Sequence, residues 1–353
     1  MNYYDLTIIV PIYNAAPYLN QCIDSLLNQQ TNLNYCIFLI NDGSLDHSLD
    51  ICNTYKKQHQ NIYVFNKENK GTSTAKNLGL DNANSKYIMF VDSDDYVDEK
   101  YISSLLNDKE YYDLYCAGYS IVYEKQGTII NNLIPNCIKK NKDTSKLLEM
   151  FKSEGILNVD ISKIYLLEII NKHQIRFPTD MSTGEDLVFN CNYFLHIHSF
   201  KTLKESHYYY IRRDIESLVN SYKPTLFKMV EKCLDSIDTL YENNTNKNNI
   251  CYLANIHFDY RFTELTNLFR RKCDLSNRDK LEIIKVIISN EKLNKYLDIS
   301  TRNDKLSNIF KWSIKQNNPL LTLLIYKILF FLRYRLSHLY YYLRNKLILI
   351  EKD

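Results

Sequence analysis

Three carboxylates within four residues mark the stretch of this chain whose side chains most clearly suggest chemistry. They form the run Asp92-Ser93-Asp94-Asp95, which follows the apolar run Tyr87-Ile88-Met89-Phe90-Val91, a predicted buried strand. Acidic side chains this close together repel one another, and burial penalises each charge. A divalent cation shared with a diphosphate would remove that penalty, and hard oxygen ligands suit Mg²⁺ or Mn²⁺. The alternative is a solvated acidic turn in which Asp95 or Asp98 caps the next helix.

Polar residues also follow the other predicted strands. Pro11-Ile12-Tyr13-Asn14 closes the first strand, and Asn41-Asp42-Gly43-Ser44 closes the second. Gly71 precedes a predicted helix that carries Lys76 in its early turns. Because ligands of a doubly wound sheet bind beyond the carboxyl ends of its strands, we expect these segments to share one pocket with the acidic run.

Asp42, Lys76, Asp92 and Asp94 together suit a nucleotide diphosphate. Asp42 can accept a hydrogen bond from a base N–H, while Lys76 and the N-terminus of its helix can neutralise phosphate. Asp94 can hold the cation that bridges the two phosphates. Each residue also has an ordinary explanation, since Asp-Gly is a common turn dipeptide, lysine is usually exposed and proline can end an edge strand. The prediction depends on their joint occurrence at successive strand ends.

Alternating strand-like and helix-like segments predict an α/β fold for the first part of the chain. The predicted strands are 6–12, 35–40, 62–65 and 87–91, and the predicted helices between them are 15–29, 46–58 and 72–83. Further helices are predicted at 98–107, 143–153, 163–173 and 184–195, and further strands at 114–117, 200–203 and 207–211. We therefore expect a doubly wound, mostly parallel sheet over residues 1–215, followed by a mainly α-helical region over 216–353.

Length and composition are those of an ordinary globular protein. The 353 residues suggest two domains, or one large domain with an appendage, and 45% hydrophobic with 24% charged residues allow a sizeable core. A net charge of +3 without a basic stripe argues against nucleic acid as a partner. The nine cysteines include no Cys-x-x-Cys pair, and Met1-Asn2-Tyr3-Tyr4-Asp5 lacks the basic region of a secretory leader. We expect reduced thiols in a cytosolic protein.

The order of the strand-end motifs resembles that of the family 2 glycosyltransferases, which have a GT-A fold. The resemblance covers residues 6–96 with high specificity and continues more weakly to about 215. It implies an inverting enzyme that uses a nucleotide sugar, usually a UDP-sugar, with Mg²⁺ or Mn²⁺. Many members of the family act in bacterial capsule or exopolysaccharide synthesis.

The resemblance also implies roles in donor binding. Asp42 would contact the base with Tyr13 beside it, and Lys76 would approach the nucleotide. The family usually has arginine at this last position, and lysine keeps the charge but lacks the bidentate fork. Asp92 would meet the ribose or a metal-bound water, and Asp94 would be the metal ligand of the D-x-D motif. The residues expected to bind the donor are Pro11, Tyr13, Asn14, Asp42, Gly71, Lys76, Asp92 and Ser93, with Asp94 and Asp92 as metal ligands.

Gly184-Glu185-Asp186 opens a later predicted helix and is the second element with chemical potential. In the family, a Glu-Asp pair near a helix start supplies the general base, so Asp186 would take the proton from an acceptor hydroxyl, with Glu185 beside it. Base catalysis of this kind contributes roughly 10²–10⁴ in rate. The alternative is that both acids only favour the helix dipole. Arg212 and Arg213 could reach phosphate on the donor or on a lipid-diphosphate acceptor, or could be surface residues.

Residues 319–353 differ from the rest of the chain in charge. They contain six lysine and arginine residues against two acidic ones, a net charge of +4. The apolar run from Leu320 to Leu332 is interrupted by Lys327 and falls short of the roughly 20 residues of a spanning helix. Two interpretations stay open, an amphipathic helix on an anionic membrane and a helical hairpin packed on the domain.

These observations predict a metal-dependent glycosyltransferase that moves a sugar from a UDP-sugar to a glycan or lipid-linked glycan acceptor at the cytosolic face of the membrane. A nucleotidyltransferase would need a glycine-rich loop with a basic residue after the first strand, and a nicotinamide oxidoreductase would need Gly-x-Gly-x-x-Gly there. Tyr13-Asn14-Ala15-Ala16 provides neither. The remaining alternative is a catalytically silent glycan-binding or scaffold subunit, against which the acidic run and the Glu-Asp pair weigh.

Overall fold

Ten strands are hydrogen-bonded into one sheet in the computed structural model, which describes residues 2–106, 110–139, 156–213, 222–243 and 250–335. In chain order they are β1 (Tyr4–Ile12), β2 (Tyr35–Asp42), β3 (Ile62–Lys67), β4 (Ser85–Phe90), β5 (Tyr96–Val97), β6 (Leu114–Tyr123), β7 (Thr128–Asn132), β8 (Cys137–Lys139), β9 (Lys163–Leu166) and β10 (Phe200–Arg212). Their order across the sheet is β3-β2-β1-β4-β9-β6-β10-β5, with β7 paired to β6 and β8 to β10.

The helices that accompany this sheet connect its strands in the predicted alternation. They are α1 (Ala16–Leu27), α2 (Ser48–Gln58), α3 (Thr72–Asn82), α4 (Tyr101–Leu105), α5 (Leu167–Lys172) and α6 (Glu185–Phe194), with a 3₁₀ turn at Ile156–Asn158. The predicted helix at 143–153 lies outside the described residues.

The sheet reverses its strand order at β1. This strand pairs in parallel with β2 on one side and with β4 on the other, and β3 continues the parallel arrangement beyond β2. Beyond β4 the sheet is mixed, because β9 runs antiparallel to both β4 and β6 while β10 is parallel to β6. The chain segments that follow β1 and β4 therefore lead away from each other at this switch point, where α/β sheets leave a crevice for ligands.

Three predicted elements differ from the structure in the second half of the sheet. The helix predicted at 163–173 is instead the strand β9 followed by the short helix α5. Ile164 of β9 pairs with Met89 on one side and Tyr115 on the other, so tertiary pairing decides the conformation of this apolar segment. The two closing strands predicted at 200–203 and 207–211 form the single strand β10, and register shifts near Ser206 accommodate the polar residues between them.

The core of the sheet lies around β1, whose Leu6, Ile8 and Ile9 are inaccessible to solvent. The helix α3 packs against this strand at Gly79. A Cβ atom at that position would lie 2.6 Å from Cγ2 and 2.9 Å from Cδ1 of Ile9. The absence of a side chain at Gly79 therefore allows α3 to approach the strand closely.

The chain divides into two compact units, one of Met1–Asp214 with Thr239–Thr245 and one of Ile215–Asp238 with Asn246–Asp353. We call the second the helical unit. Its described helices are α7 (Leu226–Asn243, of which residues through Asp238 belong to this unit), α8 (Ile250–Asn267), α9 (Asn277–Ile288), α10 (Glu291–Leu297), α11 (Lys305–Lys315) and α12 (Pro319–Arg335). Phe258, Ile284, Phe310 and Tyr326 are part of its core. The expected helical C-terminal region is confirmed.

Two further expectations concern reduced cysteine thiols and an apolar C-terminal run that is too short to span a membrane. No disulfide joins any of the nine cysteines, all of which lie in the described part of the chain, and six of them are buried. None of the helices in the described part of the chain combines the length and apolar character of a membrane-spanning segment.

Candidate active site

A cavity of about 260 Å³ opens where β1, β2 and β4 end. Six residues singled out in the sequence contribute to its wall: Pro11, Tyr13, Asp42, Asp92, Ser93 and Asp94. Thr72 and Ala75 add the first turns of α3, which directs the N-terminal end of a helix toward the cavity. Since a helix N-terminus favours negative charge, the cavity combines acidic side chains with an anion-binding backbone.

Asn14 and Gly71, also predicted to bind the donor, lie outside the lining and shape the loops around it. Asn14 has a positive φ of 50°. Its backbone N–H donates to Ser44 Oγ at 3.0 Å and its Oδ1 accepts from Leu45 N at 2.8 Å, which connects the loops after β1 and β2. Gly71 has a φ of 90°, which favours glycine, and stands immediately before α3.

The carboxylate of Asp42 is held by the segment that precedes α3. It accepts hydrogen bonds from the backbone N–H groups of Lys70 at 3.1 Å and Gly71 at 2.8 Å, and it forms an ion pair with Lys67. A carboxylate offers roughly four acceptor positions, so about one remains for a further donor. Asp42 is therefore fixed in direction at the wall of the cavity.

The three aspartates of the acidic run have different environments. Asp95 is buried and accepts hydrogen bonds from Tyr208 Oη at 2.7 Å and Ile211 N at 2.8 Å. Burial, followed by the charge of Asp92, raises the pKa of Asp95 to about 8. The Tyr208 hydroxyl also accepts from the backbone N–H of Asp92 at 3.1 Å, so β10 holds the acidic run at two points.

Asp94 faces solvent and is paired with Arg213. Its side chain is 50% exposed, and its Oδ2 accepts from Arg213 Nη1 at 2.9 Å. Arg213 Nη2 donates to the backbone carbonyl of Asp94 at 2.9 Å, and the guanidinium lies 3.7 Å from the centre of the Tyr18 ring. Arg212 points elsewhere and donates to the Tyr123 hydroxyl at 3.2 Å. Of the two arginines, Arg213 is the one in contact with the acidic run.

Lys76 is buried beneath the cavity and does not line it. Its ammonium lies 2.7 Å from Asp160 Oδ2 and 3.0 Å from Asp186 Oδ1, and 5.0 Å from the centre of the Phe177 ring. The structure thus connects the helix α3 to the Glu-Asp pair through an ion pair. Burial of Asp92 raises the pKa of its carboxyl to about 6, although the positive charge of Lys76 opposes the shift.

Glu185 and Asp186 occupy the first turn of α6, after Gly184 with a φ of 83°. Burial, followed by the charge of Asp160, raises the pKa of Asp186 to about 8, while Lys76 lowers it. Oε2 of Glu185 is buried and has no hydrogen-bond partner in the described part of the chain. A base with a raised pKa and a carboxylate oxygen without a partner are both suited to receive a hydroxyl donor.

Asp160 is the site residue that the sequence did not indicate. It lies in the loop before β9, which Asn190 of α6 fixes by donating from Nδ2 to the carbonyls of Leu157 at 2.9 Å and Val159 at 2.8 Å. Tyr165 of β9 in turn donates to Asn190 Oδ1 at 2.8 Å. The available signal was a single acid between the apolar residues Val159 and Ile161, and no motif spacing accompanies it.

The donor atoms at the cavity fit a hard divalent cation only in part. Among the described residues, no group of three His, Cys, Asp or Glu side chains is arranged to hold a metal ion. Asp92 and Asp94 nevertheless both line the cavity, and Oδ1 of Asp94 is not engaged by Arg213. Carboxylate oxygens are suitable ligands for Mg²⁺ or Mn²⁺, and such ions commonly complete their coordination with substrate phosphates and water.

A larger cavity of about 680 Å³ lies between β6, β7 and β10. Its wall includes Ser120, Asn131 and Tyr209, and it contains none of the acidic run. The chemistry therefore favours the smaller cavity as the candidate active site.

Comparison with known proteins supplies the family. The Glycosyl transferase family 2 model matches residues 7–169. The uncharacterized glycosyltransferase EpsJ of Bacillus subtilis (strain 168) is 32% identical over 234 residues, which cover 64% of this chain and 67% of that protein. The poly(ribitol-phosphate) beta-glucosyltransferase of Bacillus spizizenii is 28% identical over 272 residues, 73% of this chain. The match spans only 41% of the length of this second relative.

A solved structure confirms the expected fold. The crystal structure of S. aureus TarS 1-349 in complex with UDP-GlcNAc has a TM-score of 0.66 over 94% of this chain and 92% of that chain, at 18% sequence identity. The prediction of a GT-A fold followed by a helical region is confirmed by this similarity. The similarity to EpsJ, together with the family model, shows that this chain belongs to glycosyl transferase family 2.

Proposed function

We propose that this protein transfers one sugar from a UDP-sugar to a hydroxyl of a glycan acceptor, with a divalent cation and with inversion at the anomeric carbon. The observation that carries the proposal is the convergence of Pro11, Tyr13, Asp42, Asp92 and Asp94 on one cavity at the strand switch point. The candidate base Asp186 forms an ion pair with Lys76 of α3, the helix whose first turns line this cavity.

In this proposal, the donor nucleotide occupies the cavity between the ends of β1 and β4. The remaining acceptor position of Asp42 takes the base N–H, and Tyr13, which is half exposed, lies beside the base. Ser93 and Asp92 face the ribose, and the N-terminus of α3 faces the diphosphate. Arg213 lies next to Asp94 and adds positive charge where the diphosphate departs.

Asp92 and Asp94 would hold Mg²⁺ or Mn²⁺ at the same cavity. The bound ion would stabilise the negative charge that develops on the leaving diphosphate. Asp186 accepts the proton of the acceptor hydroxyl as that oxygen attacks, and the free Oε2 of Glu185 orients the hydroxyl. Attack from the side opposite the diphosphate inverts the configuration, and no covalent glycosyl-enzyme is formed.

The relatives suggest the class of acceptor. The Bacillus spizizenii protein is named for poly(ribitol-phosphate), as is TarS of Staphylococcus aureus, which is 24% identical to this chain over 219 residues. We infer that the acceptor here is likewise a hydroxyl-rich polymer of bacterial surface polysaccharide synthesis, such as capsule, exopolysaccharide or teichoic acid. The site of synthesis would be the cytosolic face of the membrane.

The helix α12 supports contact with that membrane surface. Leu320, Leu324, Ile328 and Phe331 recur at helical spacing and are between 51 and 66% exposed. Lys327 lies on the same exposed side, while Leu323 and Tyr326 face the core of the helical unit. We call the four apolar residues the α12 stripe. A stripe of this kind with adjacent cations suits the interface of an anionic lipid bilayer.

Metal-dependent turnover of nucleotide sugars tests the enzymatic proposal. The purified protein should hydrolyse a UDP-sugar, or transfer its sugar to an acceptor, when Mg²⁺ or Mn²⁺ is present. Asp94→Ala and Asp186→Asn should each lower kcat/KM by roughly 10²-fold or more. Asp50→Asn, an exposed acid on α2, is the matched control and should be unaffected.

Calorimetry separates an enzyme from a silent scaffold subunit. UDP should bind more tightly with Mn²⁺ than without it, and Asp94→Ala should remove the difference. Full activity of Asp94→Ala or Asp186→Asn, or UDP binding that ignores the metal, would contradict the proposal.

A further inference from the structure

Lys76 is enclosed by acidic side chains at the base of the candidate site. Its side chain is only 3% exposed, and its ammonium contacts Asp160 and Asp186, whose side chains are 1% and 20% exposed. One ammonium can neutralise only one of the two carboxylates, so ionisation of both would leave an excess negative charge in this buried group of three residues. Asp186, the candidate base, is the more exposed of the two acids in this group.

We propose that Lys76 and Asp160 are positioning residues for Asp186. Lys76 is the counter-ion that holds the Asp186 carboxylate in place, and the charge of Asp160 adjusts how readily Asp186 takes up a proton. This inference rests on the proposed function, because that function makes Asp186 the general base.

The surroundings of Asp186 make these two residues its principal partners. Lys76 is the residue in direct ion-pair contact with it, and Asp160 exerts the largest repulsion by a neighbouring charge. The other ionisable groups near it are Glu185 on its own helix, Asp92 at the end of β4, and Lys163 and Tyr165 on β9. The aromatic rings of Phe177 and Phe90 cover Lys76 at 5.0 and 5.9 Å, which limits the access of water to the ion pair.

The proton balance of transfer shows why this matters. The acceptor oxygen forms a bond to the anomeric carbon, the bond from that carbon to the diphosphate breaks with its electron pair, and the acceptor proton moves to Asp186. Only ionised Asp186 can accept this proton. The pKa of Asp186 in the enzyme without substrate is raised to about 8, so kcat/KM should increase with pH until about 8 and then level off. Hydrolysis of the donor follows the same sequence with water as acceptor.

Three substitutions test the inference through the pH profile of UDP-sugar hydrolysis. Lys76→Met removes the charge that favours ionised Asp186 and should move the acid limb of kcat/KM upward by about one to three pH units. Asp160→Asn removes a repelling charge and should move the limb downward. Lys76→Arg keeps the cation and should leave the limb closer to its wild-type position than Lys76→Met does. Lys57→Met, an exposed lysine on α2, is the matched control.

Opposite displacements separate positioning from a structural role. If the two residues were merely structural, the variants would lower the plateau value of kcat/KM, and their acid limbs would not move in opposite directions. Asp160→Asn preserves the shape of the site and carries the test even if Lys76→Met does not fold. Limbs that coincide with the wild type in both variants, or that move in the same direction, overturn the inference.

A measurement that does not need turnover keeps this inference distinct from the proposed function. The side-chain carboxyl of Asp186 can be titrated by ¹³C NMR after labelling of aspartate, with its signal assigned through Asp186→Asn. The same opposite shifts are expected for Lys76→Met and Asp160→Asn. A protein that hydrolyses no UDP-sugar would contradict the proposed function, while this titration would still decide the coupling.

Discussion

Asp94 and Asp95 are adjacent in sequence but differ in what their carboxylates do. Asp94 is half exposed and exchanges contacts with a single arginine, whereas Asp95 is buried and accepts from a tyrosine hydroxyl and a backbone N–H. Burial is the reason for the difference, because a buried acid needs partners for its oxygens. Asp95 is therefore expected to contribute to stability, and Asp94 to ligand binding.

Replacement of Asp95 tests this division of roles. Asp95→Ala would leave the Tyr208 hydroxyl and the Ile211 N–H without an acceptor, and each such buried group costs about 1–3 kcal/mol. We expect the free energy of unfolding to fall by roughly 2–4 kcal/mol, measured by denaturant titration. Asp94→Ala is the control, since an exposed pair contributes about 0–1 kcal/mol. Equal losses in the two variants would refute the assignment.

The sequence was informative about single residues where a motif accompanied them. Pro11, Tyr13, Asp42 and Asp92 were expected to meet because each lies at or just beyond the end of a strand, and parallel strands end at the same edge of a sheet. Asp160 could not be found in this way. Its partner Lys76 lies on α3, and no local pattern encodes a contact between residues of separate elements.

At the scale of elements, apolar pattern was sufficient for β1 to β4 because buried parallel strands are continuous apolar runs. It was insufficient for β9, where a short apolar segment fits either a strand or a helix. Insertion between β4 and β6 decides its conformation, and that insertion is a property of the assembled sheet. The interruption of β10 near Ser206 is likewise tolerated because its register with β6 shifts there.

The close approach of α3 to β1 gives a prediction at the same scale. Gly79→Ala should raise helix propensity and yet destabilise the protein by about 1–3 kcal/mol, because the new methyl group would overlap Ile9. Ile9→Ala alone should cost about 2–5 kcal/mol. The double variant should lose less than the sum of both, and denaturant unfolding of the four proteins would measure this coupling. Strict additivity would show that the two residues do not compete for space.

At the scale of the whole molecule, the α12 stripe provides the prediction. The protein should sediment with vesicles that contain anionic phospholipid and much less with purely zwitterionic vesicles, since apolar insertion and cationic attraction act together. The double variant Leu324→Glu with Phe331→Glu should lower binding by roughly tenfold or more.

Val286→Glu is the matched control for the stripe, because Val286 is 50% exposed on α9 and outside α12. It should bind vesicles like the wild type. Equal binding of the stripe variant and the wild type, or indifference to lipid charge, would argue against a membrane surface as the partner of α12.

The hydrogen bonds between Tyr208 and the acidic run have a consequence for folding during synthesis. The Tyr208 hydroxyl lies 116 residues along the chain from the backbone N–H that it accepts. A nascent chain that ends after β9 therefore contains Asp92, Asp94 and Asp95 but lacks β10, the strand that fixes them. If the proposed function is correct, nascent chains of that length should bind UDP more weakly than the full chain, because the acidic run lacks the contacts that fix it.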